Sequence, residues 1–230
     1  MKLRTLVIMA SIGVLLMFGC ASAQKGKAKS KGAPPINPQA ELQNGINFFS
    51  NNDIPNAINS FNKVIQADAN NSTAYYFLGM CSEKQNNNED ALNKYNNAIS
   101  KKSDYADALL AKGNVLVKMK RFADSMDPLN KVIQLFTEKQ WAPNPLLGNT
   151  YYTLGLAYYN LTNPDSALTN FQQAITINPQ HAYAHYYLGM TFYTKNKKDL
   201  AIEQLNIFLQ LAPSAPEAPQ VRSLLAQIAG

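Results

Sequence analysis

The chain has 230 residues, 46% hydrophobic and only 16% charged, with two cysteines, two histidines and one tryptophan. That apolar fraction argues against a disordered chain. Two cysteines cannot staple a disulfide scaffold, and two histidines leave few routes to a histidine-based metal site. The net charge of +6 is unevenly placed: Lys2, Arg4, Lys25, Lys27, Lys29 and Lys31 precede Gly32, leaving 15 basic residues against 15 acidic ones. A neutral body lacks the basic stripe that phosphate binding requires, so nucleic acid is not an expected partner.

Lys2 and Arg4 precede an apolar run from Leu6 to Phe18. About 13 residues suits the core of a signal peptide and is too short to cross a ~30 Å hydrocarbon layer. Two processing sites compete. Ala21-Ser22-Ala23 before Gln24 fits the small-x-small rule and gives a signal peptide over 1–23. Gly19-Cys20 resembles the end of a bacterial lipobox with Cys20 lipidated, although Met17 and Phe18 depart from that pattern. Either way the mature chain is expected outside the cytoplasm, in a periplasm or cell envelope. Membrane attachment would come only through Cys20. Residues 24–37, rich in Lys, Gly, Ala and Pro, read as a flexible basic linker. With Cys20 removed or lipidated, Cys81 is the one free thiol, expected as a buried small hydrophobe.

From Gln39 onward the chain repeats itself. The first unit carries Gly45, Phe48, Ala57 and Phe61; the second Leu78-Gly79, Ala91, Tyr95 and Ala98. The third has Gly113, Leu116 and Leu129, with Ser125 where Ala is expected. The fourth has Leu154-Gly155, Tyr158, Ala167, Phe171, Ala174 and Pro179, and the fifth Leu188-Gly189, Phe192, Ala201, Leu205 and Pro213. The glycines stand 34 residues apart except for the 42 between Gly113 and Gly155. Helical spacing of apolar residues over Thr73 to Lys84 stops at Asn86–Asn88 and resumes over Glu89 to Ser100, so each unit reads as helix, short polar turn, helix. Gly79 and Ala91 are expected to let the two backbones approach. Asn163-Pro164 and Asn52-Asp53 should open second helices, and Pro179 and Pro213 should follow their ends. Pro128 predicts a kink or late start in the third unit's second helix.

These marks resemble the tetratricopeptide repeat family, of an exported bacterial type. The resemblance implies an all-α solenoid of five units (38–71, 72–105, 106–139, 148–181 and 182–213) with an insertion at 140–147. Val221, Leu224, Leu225 and Ile228 form a helical stripe, so 214–230 is expected to cap the array.

Arrays of this family usually line a concave groove with their first helices, which implies a partner-binding surface. Unit by unit it would comprise Leu42, Ile46 and Phe49; Tyr76, Met80 and Glu83; Leu110, Asn114 and Val117; Tyr152, Leu156 and Tyr159; and Tyr183, Tyr186, Met190 and Tyr193. This surface is apolar and rich in tyrosine, a residue with large contact area and few rotors. The Lys/Asn clamp that some members use for a C-terminal carboxylate is absent apart from Asn114 and Lys118. Trp141 in the insertion is read either as a contact anchor or as tucked against a helix end. Phosphate loop, dinucleotide fingerprint, nucleophile elbow and His-Glu metalloprotease motifs are missing. No cofactor and no enzymatic activity are expected. His181 and His185, spaced i, i+4, offer a weak metal-dependent alternative.

The expected function is an extracytoplasmic scaffold that binds a protein or extended peptide. A second reading is a lipid-anchored subunit of an envelope or outer-membrane assembly complex. The sequence leaves oligomeric state open.

Overall fold

A computed structural model describes residues 36–229. The signal segment, Cys20 and the linker up to Pro35 lie outside the described residues. Eleven helices and no strand occur among the described residues. First and second helices alternate: α1 (Pro38–Ser50) with α2 (Ile54–Ala67), α3 (Ser72–Lys84) with α4 (Asn88–Lys101), α5 (Ala106–Lys118) with α6 (Phe122–Glu138). The series continues with α7 (Pro145–Asn160) and α8 (Pro164–Ile177), then α9 (Ala182–Thr194) and α10 (Lys198–Leu211), and ends with α11 (Ala218–Ala229).

All five first helices end in the same way. The residue after the C-cap lies in the left-handed region, with φ of 56–59° at Asn52, Asn86, Lys120, Thr162 and Asn196. The next amide donates five residues back: Asp53 to Phe48 (2.8 Å), Asn87 to Ser82 (2.9 Å), Arg121 to Leu116 (2.8 Å), Asn163 to Tyr158 (2.9 Å) and Lys197 to Phe192 (3.0 Å). This is a Schellman closure, which satisfies carbonyls the helix leaves free. In three units the same residue then caps the second helix. The side chains of Asp53, Asn87 and Asn163 accept from the backbone N–H groups of Asn56, Asp90 and Ser166. Pro55 and Pro164 occupy the first turns that tolerate proline.

The core repeats one contact. A Cβ built on Gly45 would lie 2.5 Å from the Phe61 ring, on Gly79 2.5 Å from Tyr95, and on Gly155 2.6 Å from Phe171. Gly113 meets Leu129 at 2.5 Å and Gly189 meets Leu205 at 2.8 Å, so the partner is always 16 residues on. The glycine therefore seats a side chain of the second helix, a role the expected backbone approach did not include, and at Gly189 a backbone atom, Leu205 N, also comes within 3.2 Å of that Cβ position. The far side of the ring is covered by the next unit: Phe77 stacks on Phe61 (5.2 Å, 13°) and Tyr187 on Phe171 (5.8 Å, 17°). Cys81 is fully buried in this seam, and loss of hydration pushes its thiol up to about 11.

Both ends of the array carry adjusted residues. Where α3 buries Leu78 and Cys81, α1 has the exposed Asn44 and Asn47, 34 residues earlier. At the other end Ala218 and Val221, 34 residues after Ala184 and Tyr187, are each 1% exposed, and Val221 packs on Leu205 and Phe208. Thus α11 occupies the place of a first helix in a sixth unit, with Leu224 and Leu225 half-buried beside it.

The third unit departs from two expectations. Pro128 is accommodated inside a continuous α6 that starts at Phe122, in register with the other second helices, rather than delaying it. The eight extra residues are mostly absorbed as helix: α6 has 17 residues against 14 in the other second helices, and α7 has 16 against 13 in the other first helices. Leu135, Phe136 and Leu147 are buried on the lengthened seam.

Three of the four consecutive pairs of first helices touch (α1 with α3, α5 with α7, α7 with α9), whereas second helices make no comparable contact with one another among the described residues. Neighbouring units therefore meet more closely along the row of first helices than along the row of second helices.

Two substitutions test the core contact. Gly79→Ala gains helix propensity of up to ~1 kcal/mol but drives a methyl into the buried Tyr95 ring, at a cost of about 1–3 kcal/mol. It should lower the thermal midpoint. Gly148→Ala, whose Cβ would meet Ile177 at 3.3 Å, should be close to neutral or stabilising. Equal loss in both would contradict the seating role. At the turns, Thr162 is a β-branched residue at φ 56°. Thr162→Gly should relieve ~1 kcal/mol of left-handed strain and raise the urea midpoint.

Candidate functional site: the face of the first helices

The sequence-predicted groove residues divide by burial. Leu42, Ile46 and Phe49 are half-buried against the core around Phe61. Tyr76 and Met80 pack on the Tyr95 cluster, with the Tyr76 ring 5.9 Å from Tyr95 and 5.2 Å from Tyr105. Glu83, beside them, accepts from the Tyr95 hydroxyl. Asn114 is exposed and accepts from the Thr153 hydroxyl at 2.7 Å, tying α5 to α7. Leu110 is a correction. It is only 8% exposed, inside the core with Leu129 and Leu154, and presents little to a partner.

The tyrosines of α7 and α9 form one connected aromatic surface. Tyr152 packs against Phe171 (6.2 Å), His181 (4.4 Å) and Tyr187 (6.2 Å). Tyr159 meets Tyr187 edge-on at 5.5 Å. Tyr186 lies 4.9 Å from Tyr187 and 5.1 Å from Phe208. Tyr183 stands nearly perpendicular to Tyr186 (6.3 Å, 79°) and donates to Glu217 Oε2 at 2.9 Å. Leu156 and Met190 are half-buried among them, and Tyr193 is 38% exposed. Tyr152 and Tyr186 therefore have a structural role in the seam and offer only part of their rings outward. Neither α7 nor α9 contains a Lys, Arg, Asp or Glu.

Sequence reading missed Tyr187 and Glu217. Phe77 of the second unit, at the equivalent position, was the signal for Tyr187. Glu217 lies in the Pro-rich stretch before α11, where no periodicity points to the groove.

The two histidines do not converge on a common site. His185 is 5% exposed, with Nδ1 2.8 Å from Gln204 Oε1 and Nε2 3.0 Å from the Pro179 carbonyl. His181 caps α9 by accepting the Ala184 N–H at its Nδ1 (3.2 Å), and burial lowers its pKa, which keeps it uncharged at neutral pH. Their geometry gives the metal-dependent alternative no support. Trp141 is 41% exposed, with its ring edge-on to Phe136 at 5.2 Å and Lys139 Nζ 5.1 Å from its centroid. It is both tucked against the end of α6 and open to solvent.

Residues 42–99 and 152–216 match the tetratricopeptide repeat profile, and residues 84–120 match a TPR repeat profile. The chain belongs to the tetratricopeptide repeat family. It is 29% identical over 162 residues to a TPR repeat-containing protein of Methanocaldococcus jannaschii, covering 70% of this chain and 21% of that one. The chain thus spans about a fifth of the length of that relative. Among solved structures it resembles YrrB, a TPR protein with an unusual peptide-binding site (TM-score 0.65, 21% identity, 81% of this chain and 92% of that one). It also resembles PilW, a type IV pilus biogenesis factor (TM-score 0.72, 16% identity, 84% and 86%), and MamA (TM-score 0.64, 22% identity, 76% and 92%). At these identities the likeness is one of fold.

Burial also sets the alkaline behaviour of this face. It pushes the Tyr76 phenol from 10.0 to about 12, with the charges of Asp107 and Glu83 adding to the effect. A raised folded-state value means that this contribution to stability is fully present below pH 10 and is lost as pH rises through about 12. Urea midpoints should therefore fall between those values. A Tyr76→Phe variant should show a shallower fall; an identical slope would deny Tyr76 this part.

Proposed function

We propose that this TPR chain is an interaction scaffold that holds an extended segment of a partner protein along the face of its first helices. The observation that carries the reading is the charge-free aromatic surface of α7 and α9. Half-buried tyrosine, methionine and leucine side chains there, together with the exposed Tyr193, leave apolar edges open to a guest, and partly fixed rings bind with little loss of rotamer freedom. The family match supports the reading, as does the peptide-binding site of YrrB, which shares the fold. We further propose that the chain works outside the cytoplasm, from the signal-like segment over 1–23, either free or held by lipid at Cys20. The lipid-anchored version would suit a subunit of an envelope assembly complex.

The first test is cross-linking in the native envelope. Tyr159→Ala combined with Tyr193→Ala, which spares the deeper Tyr152 and Tyr186, should reduce recovery of the wild-type partner severalfold while circular dichroism stays unchanged. Undiminished recovery would remove the first helices as the docking face. The mass of the mature N-terminus addresses export: a start at Gln24 indicates free secretion and a lipid-modified Cys20 indicates anchoring. A start at Met1 would refute export.

A further inference from the structure

Glu217 gives the tyrosine surface a chemical preference. Its carboxylate accepts from Tyr183 at 2.9 Å, is half-buried, and has no ion-pair partner among the described residues. Its bond to the Tyr183 hydroxyl holds that phenol above its usual range, and its charge adds to the effect of burial, the larger cause, at Tyr152, Tyr186 and Tyr187. The nearest basic residue along the chain, Arg222, donates instead to the Pro213 carbonyl at 2.9 Å. The helices α7 and α9 carry no Lys or Arg, His181 is held neutral by burial, and Lys195 at the far end is engaged with Asp165 at 2.7 Å. The start of α11 supplies only the partial charge of its free N–H groups.

Tyr183, which bonds that carboxylate, meets Tyr186 edge to face (6.3 Å, 79°), so the two rings form an aromatic corner at its Tyr183 side. Ring faces carry negative electrostatic potential and attract cations, more strongly when the cation is partly desolvated. A half-buried carboxylate without a counter-ion adds a full charge of the same sign. The apolar Met190, packed in the same cluster as Tyr183 and Tyr186, suits the methylene stem of a long basic side chain.

We infer that the α9 end of the trough is a subsite for a lysine or arginine side chain of the partner segment, with Glu217 as its counter-charge and the Tyr183–Tyr186 corner as its wall. This inference rests on the scaffold reading above and specifies which residue of the guest is recognised. The committed occupant is a partner segment with one basic residue between apolar ones. The chain's own lysines at 25–31 are the competing occupant.

The subsite can be tested by NMR titration of the full mature chain with acetyl-Leu-Lys-Leu-amide and its norleucine analogue, which keeps the stem and removes the charge. The lysine peptide should shift the Tyr183 and Tyr186 ring signals and the Glu217 carboxyl signal, with an affinity about tenfold above that of the norleucine peptide. Glu217→Gln, which can still pair with the Tyr183 hydroxyl, should erase that difference without altering the circular dichroism. Equal affinity of the two peptides, shifts confined to other parts of the array, or no shift at all would overturn the subsite. So would tyrosine signals that already match the peptide-saturated state and change when Lys25, Lys27, Lys29 and Lys31 are replaced by Ala, since the occupant would then be the chain itself. Failure here is separable from failure of the scaffold reading. A partner still lost on Tyr159→Ala with Tyr193→Ala, but held equally by Glu217→Gln, would keep the docking face and discard only the basic-residue preference.

Discussion

The array depends on a side chain of each second helix filling the space where a glycine of the first helix has none. Five such contacts, all 16 residues apart, fix the angle and depth at which the two helices of a unit meet. In close-packed interiors a single added methyl is felt, so the glycine and its partner form one unit of construction. The consequence reaches the next unit, because the seated ring turns its other face outward. Phe77 and Tyr187 cover that face, so packing within a unit and between units is continuous.

Variation in this contact separates the two halves of the array. Where the seated residue is an aromatic ring and the covering one is Tyr187, the stack extends through Tyr152, Tyr159 and Tyr186 to the face of the first helices. At the junction between the third and fourth units the seated residue is Leu129 and the covering position holds Thr153. No aromatic relay forms there; a hydroxyl–amide bond to Asn114 and a longer helical seam take its place. The charge-free tyrosine face is thus confined to the C-terminal part, and Glu217 reaches it only because α11 sits where another first helix would.

Much of this was legible in the sequence, because repetition multiplies weak signals. A lone Gly79 or Ala91 says little, but five glycines with partners in phase fix helix number, register and turns. What stayed hidden depends on which neighbour a side chain meets. The glycines read only as places where backbones can approach, because sequence gives small size but not which side chain fills the space. The late start considered at Pro128 does not occur, because the local rule ignores the packing that holds α6 on either side. The insertion read as loop because Pro143-Asn144-Pro145 punctuates it, yet Asn144 and Pro145 are the cap and first residue of a lengthened α7. Leu110 and the half-buried Tyr186 occupy the same repeat position, three residues before the glycine, and only the fold separates core from groove.

The closure of the first helices carries a constraint on how such a protein can grow. Asn87 ends α3 through its amide and begins α4 through its side chain, with a single left-handed residue, Asn86, before it. Inserting even one residue at that hairpin tip would separate the two duties and leave one helix end unsatisfied. At the opposite rim, where one unit hands over to the next, Asn71 and His181 have a looser double role, their amides bonding to the C-cap residue rather than to the helix itself, and it is at that rim that this chain accommodates its eight additional residues and displays Trp141. Lineages of this architecture should therefore acquire novelty along one rim only, keeping the other nearly constant in length.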